Sequence, residues 1–190
     1  DFDDICISMK SSSVPLTVAA YHLAAETFKY LLHLGVTETG TEWNGTIQSA
    51  VGIGTLLCEG IGNTIRVSLT ADPVKEVSAG IAIVKAAGLR PGGVRFVSCP
   101  TCGRTEIDLI ALATEVEKRV VKLDRDITVA VMGCVVNGPG EAREADYGIA
   151  GGKGKGLLFK KGQVLGTYPY EELCDRLLDL INSDGTDGKA

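Results

Sequence analysis

Three thiols are placed to bind something soft. Cys99-Pro100-Thr101-Cys102 sets two of them in a CxxC pair, at the end of one predicted strand and before a helix. Cys134 follows a second strand end. Thiolates suit zinc or iron–sulfur clusters. A structural zinc site usually draws paired ligands from both halves of its motif. Here the second half offers one cysteine, and the two histidines, His22 and His33, lie in the first third of the chain. Three cysteines with one different ligand suit a cubane cluster. Glu141, seven residues after Cys134 through the turn-rich Asn137-Gly138-Pro139-Gly140, offers an oxygen. Two other readings use the same residues: a redox-active CxxC pair with Cys134 as a core thiol, or an irregular zinc site. Cys6, Cys58 and Cys174 sit among apolar residues and read as small buried hydrophobes.

A second set of polar residues is periodic. Lys10, Glu38 and Arg66 are spaced by 28 residues, each at or near a predicted strand end. A strand, a helix and two loops take about that length. Expected strands are 2–9, 32–37, 64–69 and 94–98. Expected helices are 14–28, 47–61, 73–87 and 107–123, the last opened by a capping box from Thr105 to Asp108. This alternation predicts a parallel α/β sheet that delivers the three residues to one end, as in a (β/α)8 barrel. Taken singly, each reads equally as a solvated loop charge.

From about Ile127 the pattern changes. A strand over 127–132, a hairpin around Lys160-Lys161-Gly162 and a closing helix over 170–181 predict a small α+β domain. Residues 1–90 are expected to form part of a barrel, 91–182 the second domain and 183–190 a flexible tail. Gly151 to Gly156 reads as a flexible connector, since it lacks a phosphate-loop pattern. No dinucleotide glycine fingerprint is present. Lys153, Lys155, Lys160 and Lys161 are candidates to steer an acidic electron donor.

Composition narrows the class. The net charge of −5 argues against nucleic acid as the main partner. No run of 18 apolar residues predicts a membrane span. Six cysteines in 190 residues are too sparse for a disulfide scaffold and suggest a reducing cytosol. The chain lacks an initiator Met and starts almost inside a strand, as a piece of something longer would.

The stretches SCPTCGRTEID (Ser98 to Asp108) and MGCVVNGPGEA (Met132 to Ala142) resemble the 4-hydroxy-3-methylbut-2-enyl diphosphate synthase family of the methylerythritol phosphate route to isoprenoids. ISMKS (Ile7 to Ser11), HLGVTE (His33 to Glu38) and TIRVSLTADP (Thr64 to Pro73) are similar to the same family. The resemblance implies the C-terminal half of a TIM-type barrel, its last four βα units, followed by a ferredoxin/sulfite-reductase-like domain. It implies a [4Fe–4S] cluster on Cys99, Cys102, Cys134 and Glu141. Glu38 would be the acid/base carboxylate, and Lys10, Arg66, Ser68 and Asn137 would hold the substrate. That substrate would be 2-C-methyl-D-erythritol 2,4-cyclodiphosphate, reduced with electrons from flavodoxin or ferredoxin. The family works as a homodimer, in bacterial cytoplasm or plastid stroma, with each iron–sulfur domain capping its partner's barrel. A whole barrel takes about 250 residues, so little activity is expected from this chain alone. The rival class is a metal-binding or electron-carrier module without its own catalysis.

Overall fold

The structure is a computed structural model and describes residues 2–135, 140 and 142–186. It divides into two compact units, Asp1–Pro91 and Gly92–Ala190.

The first unit alternates β1 (Cys6–Ile7), α1 (Val14–Thr27), β2 (Leu31–Leu34), α2 (Glu42–Cys58), β3 (Thr64–Ile65) and α3 (Pro73–Ala86). Its three strands are parallel, in the order β1-β2-β3. Two helix starts follow the expected chemistry. Ser13 caps α1 by accepting from the Leu16 amide, and Asp72 caps α3 by accepting from Val74 N at 2.8 Å, with Pro73 first in the helix. Helix α2 begins five residues before the expected apolar run, because its first turn, Glu42 to Asn44, is mostly polar and exposed. The core joins Tyr21 and Ala24 of α1, Leu32 and Leu34 of β2, Ile53 and Leu56 of α2, and Ile83 of α3. Since side chains alternate along a strand, burying Leu32 and Leu34 turns Leu31 and His33 to the opposite face.

The second unit holds β4 (Val94–Ser98), α4 (Leu109–Val120), β5 (Ile127–Met132), β6 (Tyr147–Gly152), β7 (Lys155–Lys160), β8 (Gln163–Pro169), a 3-10 turn (Tyr170–Glu172) and α5 (Leu173–Thr186). The sheet order is β4-β5-β6-β7-β8, with β4, β5 and β6 parallel and the last two pairings antiparallel. Leu112, Val116 and Val120 of α4 and Leu173, Leu177 and Ile181 of α5 pack with Val129, Val131 and Ile149. Ala130, Met132, Ala150 and Phe159 form a second cluster with Ala142 and Ala145. The central strands are therefore buried on both faces, and β6 is buried throughout.

Several expectations change. Strand β4 pairs with β5 in the second unit, so the first unit carries three βα pairs rather than four. The segment from Gly151 to Gly156 is no loose connector: Gly151 pairs with Gly156 and Gly152 with Lys155 across the β6–β7 hairpin. Helix α5 runs to Thr186, past the expected start of a tail at 183. Asp184 anchors it through a 2.6 Å ion pair with Lys160, whose ammonium also lies over the Tyr147 ring. Lys160 and Tyr147 hold the Asp184 carboxyl below its ordinary pKa. Helix α4 starts at Leu109 under an Asp108 cap, leaving Thr105 for another task.

Candidate functional site

In the first unit the register decides what meets what. Cys6 pairs with Leu31, an offset of 25 positions, and His33 pairs with Thr64, an offset of 31. Neither equals the sequence period of 28. Lys10 and Arg66, two periods apart, therefore extend to the same opposing residue, Gly35, while Glu38 lies three residues beyond it. The three residues reach one end of the sheet, with Lys10 and Arg66 in one row and Glu38 beyond it.

Gly35 lies between the Lys10 side-chain stem and the Arg66 backbone. A methyl group there would stand 2.9 Å from Lys10 Cε and 3.0 Å from the Arg66 carbonyl oxygen. Contacts that close leave room for hydrogen only, so the Lys10 stem leans over the strand at this point. Burial, then the Arg66 charge, hold the Lys10 ammonium below its ordinary pKa. Arg66 Nε donates to Ser68 Oγ at 3.2 Å. The structure thus brings Lys10, Arg66 and Ser68 together.

The segment that carries Glu38 is tied on both sides. Thr37 N donates to Ser11 O at 3.1 Å, the Thr39 hydroxyl donates to Ser68 O, and Thr70 N donates to Gly40 O at 2.8 Å. Glu38 itself is exposed, with a left-handed backbone at φ 56°.

Sequence reasoning passed over His33. Its Nδ1 lies 2.8 Å from Thr64 Oγ1. Its carbonyl accepts from the Tyr21 hydroxyl at 2.5 Å and the Ser8 hydroxyl at 3.0 Å. The buried Tyr21 hydroxyl accepts in turn from Met9 N at 3.1 Å. Burial, then Lys10 and then Arg66, push the His33 imidazole below its ordinary pKa. The signal was available: His33 stands two residues before Gly35, on the same strand face.

In the second unit, Ser98 pairs with Val131, so Cys99 and Cys134 leave adjacent parallel strand ends. Gly133 N donates to Cys99 Sγ at 3.2 Å. Cys102 N donates to Thr105 Oγ1 at 3.2 Å, and the Thr105 hydroxyl reaches Cys102 Sγ at 3.9 Å. The Arg104 backbone N–H, then the Thr105 hydroxyl, hold the exposed Cys102 thiol below its ordinary pKa. Gly133 makes this packing possible: a methyl group there would lie 3.0 Å from both Thr105 Oγ1 and Leu109 Cδ2. Cys99 and Cys134 are half-buried. Hydrogen-bond donors aimed at sulfur are what thiolate ligation asks for, so these residues fit a thiolate-held cluster. Among the described residues, no three His, Cys, Asp or Glu side chains close on a single ion. Glu141 and Asn137 lie outside the described residues.

The remaining cysteines need correcting. All six thiols are free, but only Cys174 is buried; Cys6 and Cys58 are exposed. Burial pushes the Cys174 thiol up, and Arg119 Nη1 donates to it at 3.3 Å. The four lysines also separate. Lys153 and Lys155 sit at the β6–β7 turn, whereas Lys160 and Lys161 lie at the opposite end of β7.

Residues 1–81 match the GcpE TIM-barrel domain, and residues 95–183 match the GcpE protein C-terminal domain. Over 183 residues the chain is 61% identical to the 4-hydroxy-3-methylbut-2-en-1-yl diphosphate synthase (flavodoxin) of Clostridium acetobutylicum, covering 96% of this chain and 52% of that protein. It is 59% identical over 183 residues to the protein of that name in Clostridium perfringens, with the same coverage of each. It is 59% identical over 177 residues to that of Geobacter sulfurreducens, covering 93% of this chain and 50% of the relative. The chain spans about half the length of the curated relatives it matches. With two domains of one family matched in order along nearly all of it, the chain belongs to the GcpE family, that of the 4-hydroxy-3-methylbut-2-en-1-yl diphosphate synthases.

Proposed function

We propose that this chain carries part of an iron–sulfur reductase site that opens and dehydrates 2-C-methyl-D-erythritol 2,4-cyclodiphosphate to (E)-4-hydroxy-3-methylbut-2-enyl diphosphate. The observation that carries the reading is that Lys10 and Arg66 share one row at Gly35, with the Lys10 stem over that glycine and Ser68 hydrogen-bonded to Arg66. A diphosphate asks for fixed cations and aligned donors. In this reading Lys10 and Arg66 bind its oxygens and hold the reacting carbons in place. The Ser68 hydroxyl orients the Arg66 guanidinium. The Glu38 carboxyl holds the proton that the departing oxygen must receive. Asn137 contributes a polar contact to the substrate.

Cys99, Cys102 and Cys134 would hold a [4Fe–4S] cluster, with Glu141 as a fourth, oxygen ligand. Such a cluster supplies single electrons and a Lewis-acidic iron. The sulfur-directed donors at Cys99 and Cys102 support this assignment. The relatives' name supports flavodoxin as the electron donor, with ferredoxin as the alternative. We assign the chain to a homodimer, to bacterial cytoplasm or plastid stroma, and to the C-terminal half of a TIM-type barrel followed by a sulfite-reductase-like domain. No described helix is long and apolar enough to cross a membrane.

The test is anaerobic. The chain is reconstituted with iron and sulfide, its visible spectrum and metal content are read, and turnover is measured with the rest of the relatives' length supplied. Broad thiolate-to-iron absorption with about four irons per chain, and turnover lost in Glu38→Gln, are expected. A colourless protein that keeps one zinc through reconstitution would instead establish a metal-binding module without catalysis.

A further inference from the structure

The strand face that presents Lys10 and Arg66 carries one more ionisable ring. His33 lies two residues before Gly35 on β2, and the register places it opposite Thr64, two residues before Arg66. By the same register it stands opposite Ser8, two residues before Lys10. The imidazole is thus one layer below the cation pair, on the same face, flanked by both. Its position is fixed twice. The backbone carbonyl takes hydroxyls from Tyr21 and Ser8, and the ring holds Thr64 through Nδ1. No site role follows from the other residues for a ring placed so carefully. The titratable and charged groups that share this face are Cys6 on β1, Lys10 in the segment after β1 and Arg66 directly after β3. From α1, only the Tyr21 hydroxyl reaches the His33 backbone.

We propose that His33 is a proton-linked third member of the anion site: an anion held by Lys10 and Arg66 draws a proton from solvent onto the imidazole. The inference rests on the reading of Lys10 and Arg66 as an anion site. The physics is charge balance. With the site empty, two cations one register layer away oppose a third charge on the ring. A dianion between them cancels that field and turns the local potential negative. The ring keeps its bond to Thr64 when charged, since a hydroxyl both donates and accepts. It then carries a second N–H, on Nε2. The suppressed protonation of His33 agrees with this order of events, because Lys10 and Arg66 are two of its three causes. The sign follows from linkage. If anion binding raises the His33 midpoint, affinity for the anion rises as pH falls between the free and bound midpoints. His33 here is a positioning and charge-balancing residue, not a catalytic one.

The chain contains two histidines, and the second supplies the control. His22 sits on α1, paired with Glu59 at 2.5 Å beyond the end of α2. The experiment follows both imidazole C–H resonances of the full chain by NMR through a pH titration, with and without inorganic sulfate. Sulfate is a dianion that does not itself titrate near neutral pH. We expect sulfate to move the His33 midpoint upward, to leave His22 in place, and to do neither in the Lys10→Met, Arg66→Met double variant. Sulfate affinity should rise at low pH, and His33→Gln should flatten that rise. Sulfate that binds, and is lost in the double variant, without moving the His33 midpoint would overturn this inference while leaving the anion site standing. Sulfate that fails to bind, or binds equally well to the double variant, would overturn both.

Discussion

The two units use a parallel sheet in opposite ways. In the second unit the central strands are long and buried on both faces, between α4 and α5 on one side and the Ala142–Ala145 segment with Phe159 on the other. Chemistry is left to the strand ends, where Cys99 and Cys134 emerge. In the first unit the named strands are two to four residues long, and apolar burial is one-sided. The face turned from the helices carries His33 on β2, with Lys10, Arg66 and Ser68 just beyond the ends of β1 and β3. Parallel strands are usually buried on both faces, and the first unit departs from that pattern on the face that carries these polar residues.

That contrast can be broken at three points. The largest effect belongs to Phe159, fully buried and within touching distance of Gly148. Phe159→Ala should lower the stability of the second unit by roughly 3–5 kcal/mol. Urea unfolding followed by amide exchange should show the loss there and leave first-unit protection unchanged. Loss in both units together would mean that they are one cooperative body. Next is Gly35→Ala, which forces Lys10 or the Arg66 carbonyl to move. Inorganic pyrophosphate affinity should fall about tenfold, or ~1.4 kcal/mol, by calorimetry; unchanged affinity would remove Gly35 from the anion site. The smallest is Thr105→Val, which removes the hydroxyl beside Cys102. Losing the hydroxyl should raise the Cys102 pKa, lower its thiolate fraction at neutral pH, and slow its alkylation in the metal-free chain. An unaltered rate would show that Thr105 does not tune the thiol.

Local chemistry was readable from the sequence; pairing was not. The cap at Asp72, the CxxC loop and the β7–β8 hairpin depend on neighbours in the chain, and each was legible. Strand β6 was missed because Tyr147–Gly152 is mostly glycine and alanine, small residues chosen for burial rather than strand propensity. The 28-residue period exposed the repeat but hid the register, since offsets of 25 and 31 average to it. His33 was missed because a lone histidine carries no pattern until its strand neighbours are known. Thr105 read as a helix cap because its partners, Cys102 and Gly133, meet it only in the fold.

Glu38 holds a backbone conformation that costs stability. A left-handed backbone suits glycine or asparagine, and a side chain such as glutamate gives up about 1 kcal/mol to adopt it. A library screened for heat resistance alone would drift toward glycine or asparagine at position 38, discarding the carboxylate. If the carboxylate has the role proposed above, natural variation screened by growth would hold it. The position is therefore a reporter that separates the two selections: whichever residue survives there reveals whether a population was asked to last or to work.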